Sequence, residues 1–101
     1  MTNDNTLEVQ SKPWALVTGA SAGIGAEFCR QLAAQGYQLV LVARRADRLQ
    51  AIADELRNAF DTRSLIITAD LSSKDASEAI VGRLAQENID VEYLVNNAGY
   101  G

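Results

Sequence analysis

Three glycines between Thr18 and Gly25 have the spacing of a phosphate-binding turn. The segment reads T-G-A-S-A-G-I-G and joins an apolar run to a stretch with helical periodicity. At such a junction Gly19 can make the tight turn, Gly23 lets the backbone approach a pyrophosphate, and Gly25 allows the helix to lie against a sheet. The helix N-terminus adds free N–H groups and a partial positive charge. The segment therefore predicts a dinucleotide site; the alternative is a plain glycine-rich turn.

Basic residues follow the second apolar run, where the adenosine ribose of such a ligand is expected. In units that bind NAD, an Asp or Glu about 20 residues after the glycines holds the ribose 2′-hydroxyl and would repel a 2′-phosphate. Here Arg44 and Arg45 follow the run, and Arg48 comes shortly after. A guanidinium can bind a phosphate bidentately, so Arg44 predicts NADP(H) in preference to NAD(H). Arg45 and Arg48 are explained equally well as solvated residues at a helix start.

Buried strands and amphipathic helices alternate along the chain and must position these residues. Continuous apolar runs predict strands at Trp14–Thr18, Leu39–Ala43 and Leu65–Ala69, and a fourth strand from Tyr93. Apolar residues at helical spacing predict three intervening helices. Their apolar positions are Ile24, Phe28, Leu32 and Ala33 in the first, Leu49, Ile52, Ala53, Leu56 and Phe60 in the second, and Ala76, Ile80 and Leu84 in the third.

This alternation predicts the fold class. Strand, helix, strand, helix, strand, helix, strand in this order is typical of the N-terminal half of a Rossmann-type, doubly wound parallel α/β sheet with helices on both faces. Ser72 and Asp75 resemble an N-terminal cap for the third helix. We expect a polar tail over residues 1–13 and one nucleotide-binding domain over 14–101 that is incomplete at its C-terminus.

Composition excludes several other classes of protein. The chain of 101 residues has 48% hydrophobic and 22% charged residues, as ordinary globular domains do. Its net charge of −4 gives no basic footprint for nucleic acid or for an anionic membrane. Cys29 is the single cysteine and histidine is absent, so we expect no disulfide, no metal site and a reducing, cytoplasmic setting. The N-terminus does not resemble a secretory signal, and the apolar runs are too short to span a membrane.

Three motifs in register resemble the short-chain dehydrogenase/reductase family. The turn T-G-x-x-x-G-x-G differs from the commoner G-x-G-x-x-G, Asp70-Leu71 follows the third strand, and N-N-A-G at 96–99 follows the fourth. The resemblance extends from Trp14 to Gly101 and implies a hydride-transferring oxidoreductase. It also implies the residues that contact the cofactor: Gly19, Ser21, Ile24 and Gly25 at the turn, Asp70 and Leu71 at the adenine, and Asn97, Ala98 and Gly99 along the ribose.

Some of these residues have simpler explanations. Asn96 is interpreted as a side chain that ties turn backbone together, whereas Asn97 is interpreted as a ligand. Asp70 could be a solvated carboxylate near a helix start. The basic residue that the family often has before the second glycine is replaced by Ala22, so Arg44 would carry more of the preference for NADP(H).

The catalytic groups of the resembled family do not occur in this segment. That family uses a serine and a Y-x-x-x-K helix, and Tyr100 is followed only by Gly101. We therefore expect the catalytic residues beyond residue 101, a small carbonyl or alcohol substrate, and a homo-oligomer when the chain is complete. A non-catalytic NADP-binding or sensing module remains an alternative, and Arg44 disfavours a methyltransferase.

Overall fold

A computed structural model describes residues 12–21 and 23–97 of the chain. Four strands and three helices alternate. The strands are β1 (Trp14–Thr18), β2 (Gln38–Ala43), β3 (Ser64–Thr68) and β4 (Val91–Asn96), and the helices are α1 (Gly23–Ala34), α2 (Ala46–Phe60) and α3 (Ala76–Gln86). All strand pairs are parallel and the order across the sheet is β3-β2-β1-β4. The predicted Rossmann-type fold class is confirmed.

The apolar runs form strands because the sheet is covered on both faces. All six residues of β2 are buried, since this strand lies between β1 and β3 with helices above and below it. In β1, Ala15, Leu16, Val17 and Thr18 are likewise buried. Alternating side chains of one strand therefore pack into two separate cores, which explains why the strand sequences are continuously apolar.

The two cores differ in size. The larger core, on the face covered by α1 and α2, contains Ala15, Val17, Ala20, Ala26, Cys29, Leu32, Ala33, Leu39, Leu41, Ala43, Leu49, Ile52, Ala53 and Leu56. The smaller core, on the face covered by α3, contains Leu16, Val40, Val42, Ile67 and Ile80. The sheet therefore holds two helices firmly on one side and a single helix on the other.

Helix α1 buries Leu32 and Ala33 as predicted, but its first two turns present a different face to the sheet from the predicted one. Ile24 is 68% exposed and Phe28 is 39% exposed, whereas Gly25, Ala26 and Cys29 are buried with Leu32 and Ala33. The physical reason is the short distance between the start of α1 and the end of β1, which small residues on this face of the helix allow. In α2, Phe60 at the last position is also exposed, at 44%.

The N-terminal cap predicted for α3 is wrong. The helix begins at Ala76, and Asp75 precedes it in a helical conformation with no side-chain capping bond. Ser72 instead donates to Asp70, and the hydroxyl of Ser73 accepts a hydrogen bond from the Asp75 amide. A local turn after β3 therefore outcompetes the capping box.

Strand boundaries shift slightly from the predicted ones. Strand β4 begins at Val91, two residues before the predicted start, and β3 ends at Thr68. Within the expected N-terminal tail, only residues 12 and 13 are described, and the Pro13 carbonyl already accepts a hydrogen bond of 2.8 Å from the Gln38 amide.

No described helix combines the length and the hydropathy that a membrane crossing needs.

Candidate functional site

The candidate site lies at the carboxyl ends of β1 and β4. The chain continues from β1 to β2, which pairs with one edge of β1, whereas β4 pairs with the other edge of β1. The strand order therefore changes direction at β1. Thr18 at the end of β1 is in register with Asn96 at the end of β4. In open α/β sheets, a crevice at such a switch point is where ligands bind.

Two glycines of the turn after β1 have left-handed backbones. Gly19 has φ of 64° and Gly23 has φ of 60°, a region that other residues adopt only with strain. A Cβ at Gly23 would meet nothing within 4 Å, so backbone conformation rather than lack of space accounts for glycine here. The exposed backbone of Gly23 at the start of α1 is open to the approach of a ligand.

Gly25 is required for a different reason, which is close packing inside the turn. A Cβ at this position would overlap the Gly19 carbonyl oxygen and would lie 2.8 Å from the Gly19 carbonyl carbon and 2.9 Å from Asn97 Nδ2. The absence of a side chain thus lets α1, the turn and the end of β4 meet at one point. The predicted role of Gly25 in close helix packing agrees with this geometry.

Thr18 connects the glycine turn to the end of β4. Its buried hydroxyl accepts a 2.8 Å hydrogen bond from the Asn97 amide and lies 3.1 Å from Asn96 Oδ1 and 3.3 Å from the Val95 carbonyl oxygen, both acceptors. The Asn97 side-chain amide in turn donates to the Gly19 carbonyl oxygen at 3.4 Å. The Asn96 side chain therefore bonds to a side chain of β1 rather than to turn backbone, and the bond to turn backbone is made by Asn97.

The role of Thr18 was not predicted from the sequence. A threonine ending an otherwise apolar strand was a usable indication, because a buried hydroxyl must find hydrogen-bond partners. Its partners come from β4, however, and their distance in sequence hides the pairing. Asn97 is part of the same network, and its assignment to the ribose stays a prediction.

Arg44 lies exposed immediately after β2. Among the described residues it makes no ion pair, whereas Arg45 pairs with Asp47 at 3.3 Å. Cations at a helix N-terminus are unfavourable without a partner, and Arg44 precedes α2 by only two residues. An exposed guanidinium that makes no ion pair among the described residues suits an anionic ligand.

Asp70 lies beside Arg44, two residues after β3. The Ala69 amide donates to the Ala43 carbonyl at 3.0 Å, which keeps the two strand ends together. Hydrogen bonds from the hydroxyl and the amide of Ser72 lower the pKa of Asp70, and the positive charge of Arg44 lowers it further. The group is exposed and carries a negative charge at neutral pH.

The other predicted contact residues are in varied surroundings. Ser21 is half-buried in the turn, and Ile24 presents an exposed apolar side chain at the start of α1. Leu71 packs against the smaller core, so its side chain is partly committed to the fold. Ala98 and Gly99 lie outside the described residues.

Cys29 does not contribute a reactive group to this site. It is fully buried in the larger core, and burial raises the pKa of its thiol to about 12. A thiol of this kind remains protonated and is a poor nucleophile at neutral pH.

Comparison with known proteins defines the family. The family model for short chain dehydrogenases matches residues 13–101. The chain therefore belongs to the short-chain dehydrogenase/reductase family, as the three motifs implied.

Curated relatives are longer oxidoreductases. The chain is 34% identical over 89 residues to a 7beta-hydroxysteroid dehydrogenase of Mediterraneibacter gnavus, with 88% of this chain and 33% of the relative covered. It is 38% identical over 89 residues to a very-long-chain 3-oxoacyl-CoA reductase of Candida albicans, with 88% and 26% covered. The chain thus spans a third or less of the length of these relatives.

Solved structures share the arrangement described above. L-sorbose reductase from Gluconobacter frateurii, complexed with NADPH and L-sorbose, superposes with a TM-score of 0.83 at 36% identity, covering 90% of this chain and 35% of that one. A metagenomic short-chain oxidoreductase in complex with NADP gives a TM-score of 0.79 at 41% identity, covering 88% and 40%.

Proposed function

We propose that this chain is the cofactor-binding part of an NADP(H)-dependent oxidoreductase that transfers hydride between nicotinamide and a carbonyl or alcohol substrate. The observation that carries the proposal is the exposed Arg44 guanidinium at the end of β2, which has no ion pair among the described residues. This is the position where an NAD-binding unit has a carboxylate for the ribose hydroxyls.

The described residues fit such a cofactor. The backbone of the turn and of the start of α1 is open toward a pyrophosphate, because Gly19 and Gly23 are left-handed and Gly25 is tightly packed. Arg44 would hold the 2′-phosphate, and Asp70 would face the adenine. Together these groups would contact a dinucleotide from its phosphates to its base, along the carboxyl ends of three strands.

The remaining contacts extend this assignment toward the nicotinamide. Ser21 would donate to a phosphate, Ile24 would offer an apolar surface, and Asn97 would lie along the ribose. Leu71 would contact the adenine through its backbone, because its side chain faces the smaller core. Ala98 and Gly99 are proposed contacts from the family resemblance alone.

Hydride transfer itself needs groups that this sequence does not contain. When bound, the nicotinamide supplies or accepts a hydride, and a separate group must move the proton at the substrate oxygen. The 101 residues include no Y-x-x-x-K pattern. We therefore propose that the serine, tyrosine and lysine of the family act from another part of the gene product, on a small carbonyl or alcohol.

Cofactor preference tests the proposal through Arg44→Asp in the full-length gene product. Replacing the phosphate ligand by a carboxylate should lower kcat/KM for NADPH by roughly 10- to 100-fold, as expected for charged hydrogen bonds, and should raise it for NADH. Arg57→Asp is the matched control, because it changes the net charge equally at the other end of α2. An NADPH/NADH ratio that stays the same in Arg44→Asp would show that Arg44 does not contact the 2′-phosphate.

A further inference from the structure

The carboxylate of Asp70 is oriented by the residue two positions further along the chain. Ser72 donates twice to the same oxygen, Asp70 Oδ1, at 2.6 Å from its hydroxyl and at 3.0 Å from its backbone amide. The Ser73 amide also donates to the Asp70 carbonyl at 2.9 Å and closes the turn. The side chain and the backbone of Asp70 are therefore both fixed before any ligand arrives.

These bonds make the two oxygens of the carboxylate unequal. Oδ1 accepts two hydrogen bonds, whereas Oδ2 accepts none from the described residues. Asp70 is exposed, and it follows β3 at the same edge of the sheet as Arg44. One oxygen thus holds the group in place, and the other has no donor among the described residues and belongs to an exposed side chain.

We propose that Ser72 is a positioning residue that aims Asp70 Oδ2 at the exocyclic amine of the adenine and so gives the site its preference for adenine over an oxo-purine. The inference rests on the proposed function, because it places the adenine beside Asp70. An amine donates to a carboxylate oxygen, whereas the carbonyl of hypoxanthine at the same ring position would be repelled by it.

The neighbouring serine offers a matched control. Ser73 has the same hydroxyl in the same turn, but that hydroxyl accepts from the Asp75 amide at 3.3 Å and does not contact the Asp70 side chain. Removal of either hydroxyl perturbs the turn, but only removal of the Ser72 hydroxyl takes a hydrogen bond from the Asp70 carboxylate.

The test compares two cofactors in the full-length gene product. Kd is measured by fluorescence titration for NADPH and for its deamino analogue, in which hypoxanthine replaces adenine. Ser72→Ala should raise Kd for NADPH roughly three- to tenfold, the range expected when one hydrogen bond that orders a charged group is lost. It should leave Kd for the deamino analogue unchanged, so the preference for adenine shrinks. Ser72→Thr, which keeps the hydroxyl, should restore the preference, and Ser73→Ala should not alter it.

A second measurement does not depend on the cofactor. In the free protein, NMR titration of Asp70 should show a higher carboxyl pKa in Ser72→Ala than in the wild type, because a hydrogen bond to the charged form is lost. Ser73→Ala should leave this pKa in place.

Three results would overturn the inference in distinguishable ways. Equal losses of affinity for both cofactors in Ser72→Ala would mean that the hydroxyl supports only the turn. An unchanged Kd for NADPH would mean that Ser72 does not position Asp70 for binding. Failure of the wild type to bind NADPH at all would overturn the proposed function, and the inference with it.

Discussion

At the scale of single residues, the site depends on contacts between groups far apart in sequence. The glycine spacing predicted where the turn would lie and which glycine would pack closely. It could not predict that Asn97 Nδ2 would crowd a Cβ at Gly25, since that proximity requires β4 to pair with β1. Thr18 illustrates the same limit, because its hydrogen-bond partners lie 77 to 79 positions away.

Gly25→Ala should destabilise the protein and weaken cofactor binding. The new Cβ would overlap the Gly19 carbonyl and press on Asn97, and overpacking of this kind costs about 1–3 kcal/mol. Urea unfolding of the full-length gene product and NADPH titration measure the two effects. Gly82→Ala is the control, because a Cβ in that part of α3 meets nothing within 4 Å and should stabilise the helix by about 0.5–1 kcal/mol. Equal stability of the two variants would contradict the packing argument.

Cys29 predicts a loss of stability at alkaline pH. Its thiol has a folded pKa raised to about 12 from an ordinary value of 9.0. The contribution of the protonated thiol to the free energy of unfolding is therefore complete below pH 9.0. It is lost as pH rises through about 12, because the thiol ionises first in the unfolded chain. Unfolding midpoints between pH 8 and 11 should fall less steeply in Cys29→Ala than in the wild type. Parallel pH profiles for the two proteins would show that the thiol is not shielded as described.

At the scale of elements, hydrophobic periodicity predicted the order of strands and helices but misplaced the buried face at the start of α1. The pattern weighted Ile24 and Phe28 because they are large and apolar. The structure buries Gly25, Ala26 and Cys29 instead, since the start of α1 lies too near the sheet for larger side chains. Ser72 was misassigned for a related reason. A capping pattern considers only the residues at one helix end. The carboxylate of Asp70, which precedes that end, accepts the hydrogen bond of the Ser72 hydroxyl instead.

An ion pair joins helices α1 and α2 on their outer surface. Arg30 Nε lies 2.7 Å from Glu55 Oε2, and its Nη2 lies 3.2 Å from Glu55 Oε1, a bidentate arrangement. The hydrogen bond and charge of Arg30 lower the pKa of Glu55. Both side chains are nearly half exposed, so solvent and salt screen the pair.

Glu55→Gln should lower the Tm by at most a few degrees at neutral pH and low salt. A carboxylate with a lowered pKa stabilises the fold above its ordinary range, and the contribution disappears as the pH falls through the folded value. The difference in Tm between wild type and variant should therefore vanish on acidification or in high salt. Glu27→Gln is the control, since Glu27 contacts Arg30 within α1 and joins no second helix. A larger effect for Glu27→Gln would contradict the role assigned to the pair.

At the scale of the whole molecule, β4 is one of the two edge strands of the described sheet. Among the described residues it pairs only with β1, and its Tyr93 and Leu94 are 50% and 61% exposed. Doubly wound sheets continue with further elements beside such a strand. An uncovered apolar strand with unpaired backbone groups is a template for association.

A polypeptide of residues 1–101 made alone should self-associate and should not oxidise NADPH in the presence of ketones. Size-exclusion chromatography with light scattering measures the first property, and absorbance at the NADPH band measures the second. Leu94→Lys should reduce self-association, since a charge on an open strand opposes pairing. A monodisperse monomer with cooperative unfolding, or ketone-dependent turnover, would contradict this prediction.

The unequal cores predict how the molecule opens locally. Helix α3 has only two buried residues, Ala76 and Ile80, of which Ile80 belongs to the smaller core, whereas all six residues of β2 are buried. Amide hydrogens of α3 and of the Asp70–Ser72 turn should therefore exchange with deuterium through partial openings, and those of β2 only on global unfolding. Bound NADPH, if it contacts Asp70, should slow exchange most in this less protected layer. The adenine would then be bound by the layer that opens most readily, and cofactor release would begin there.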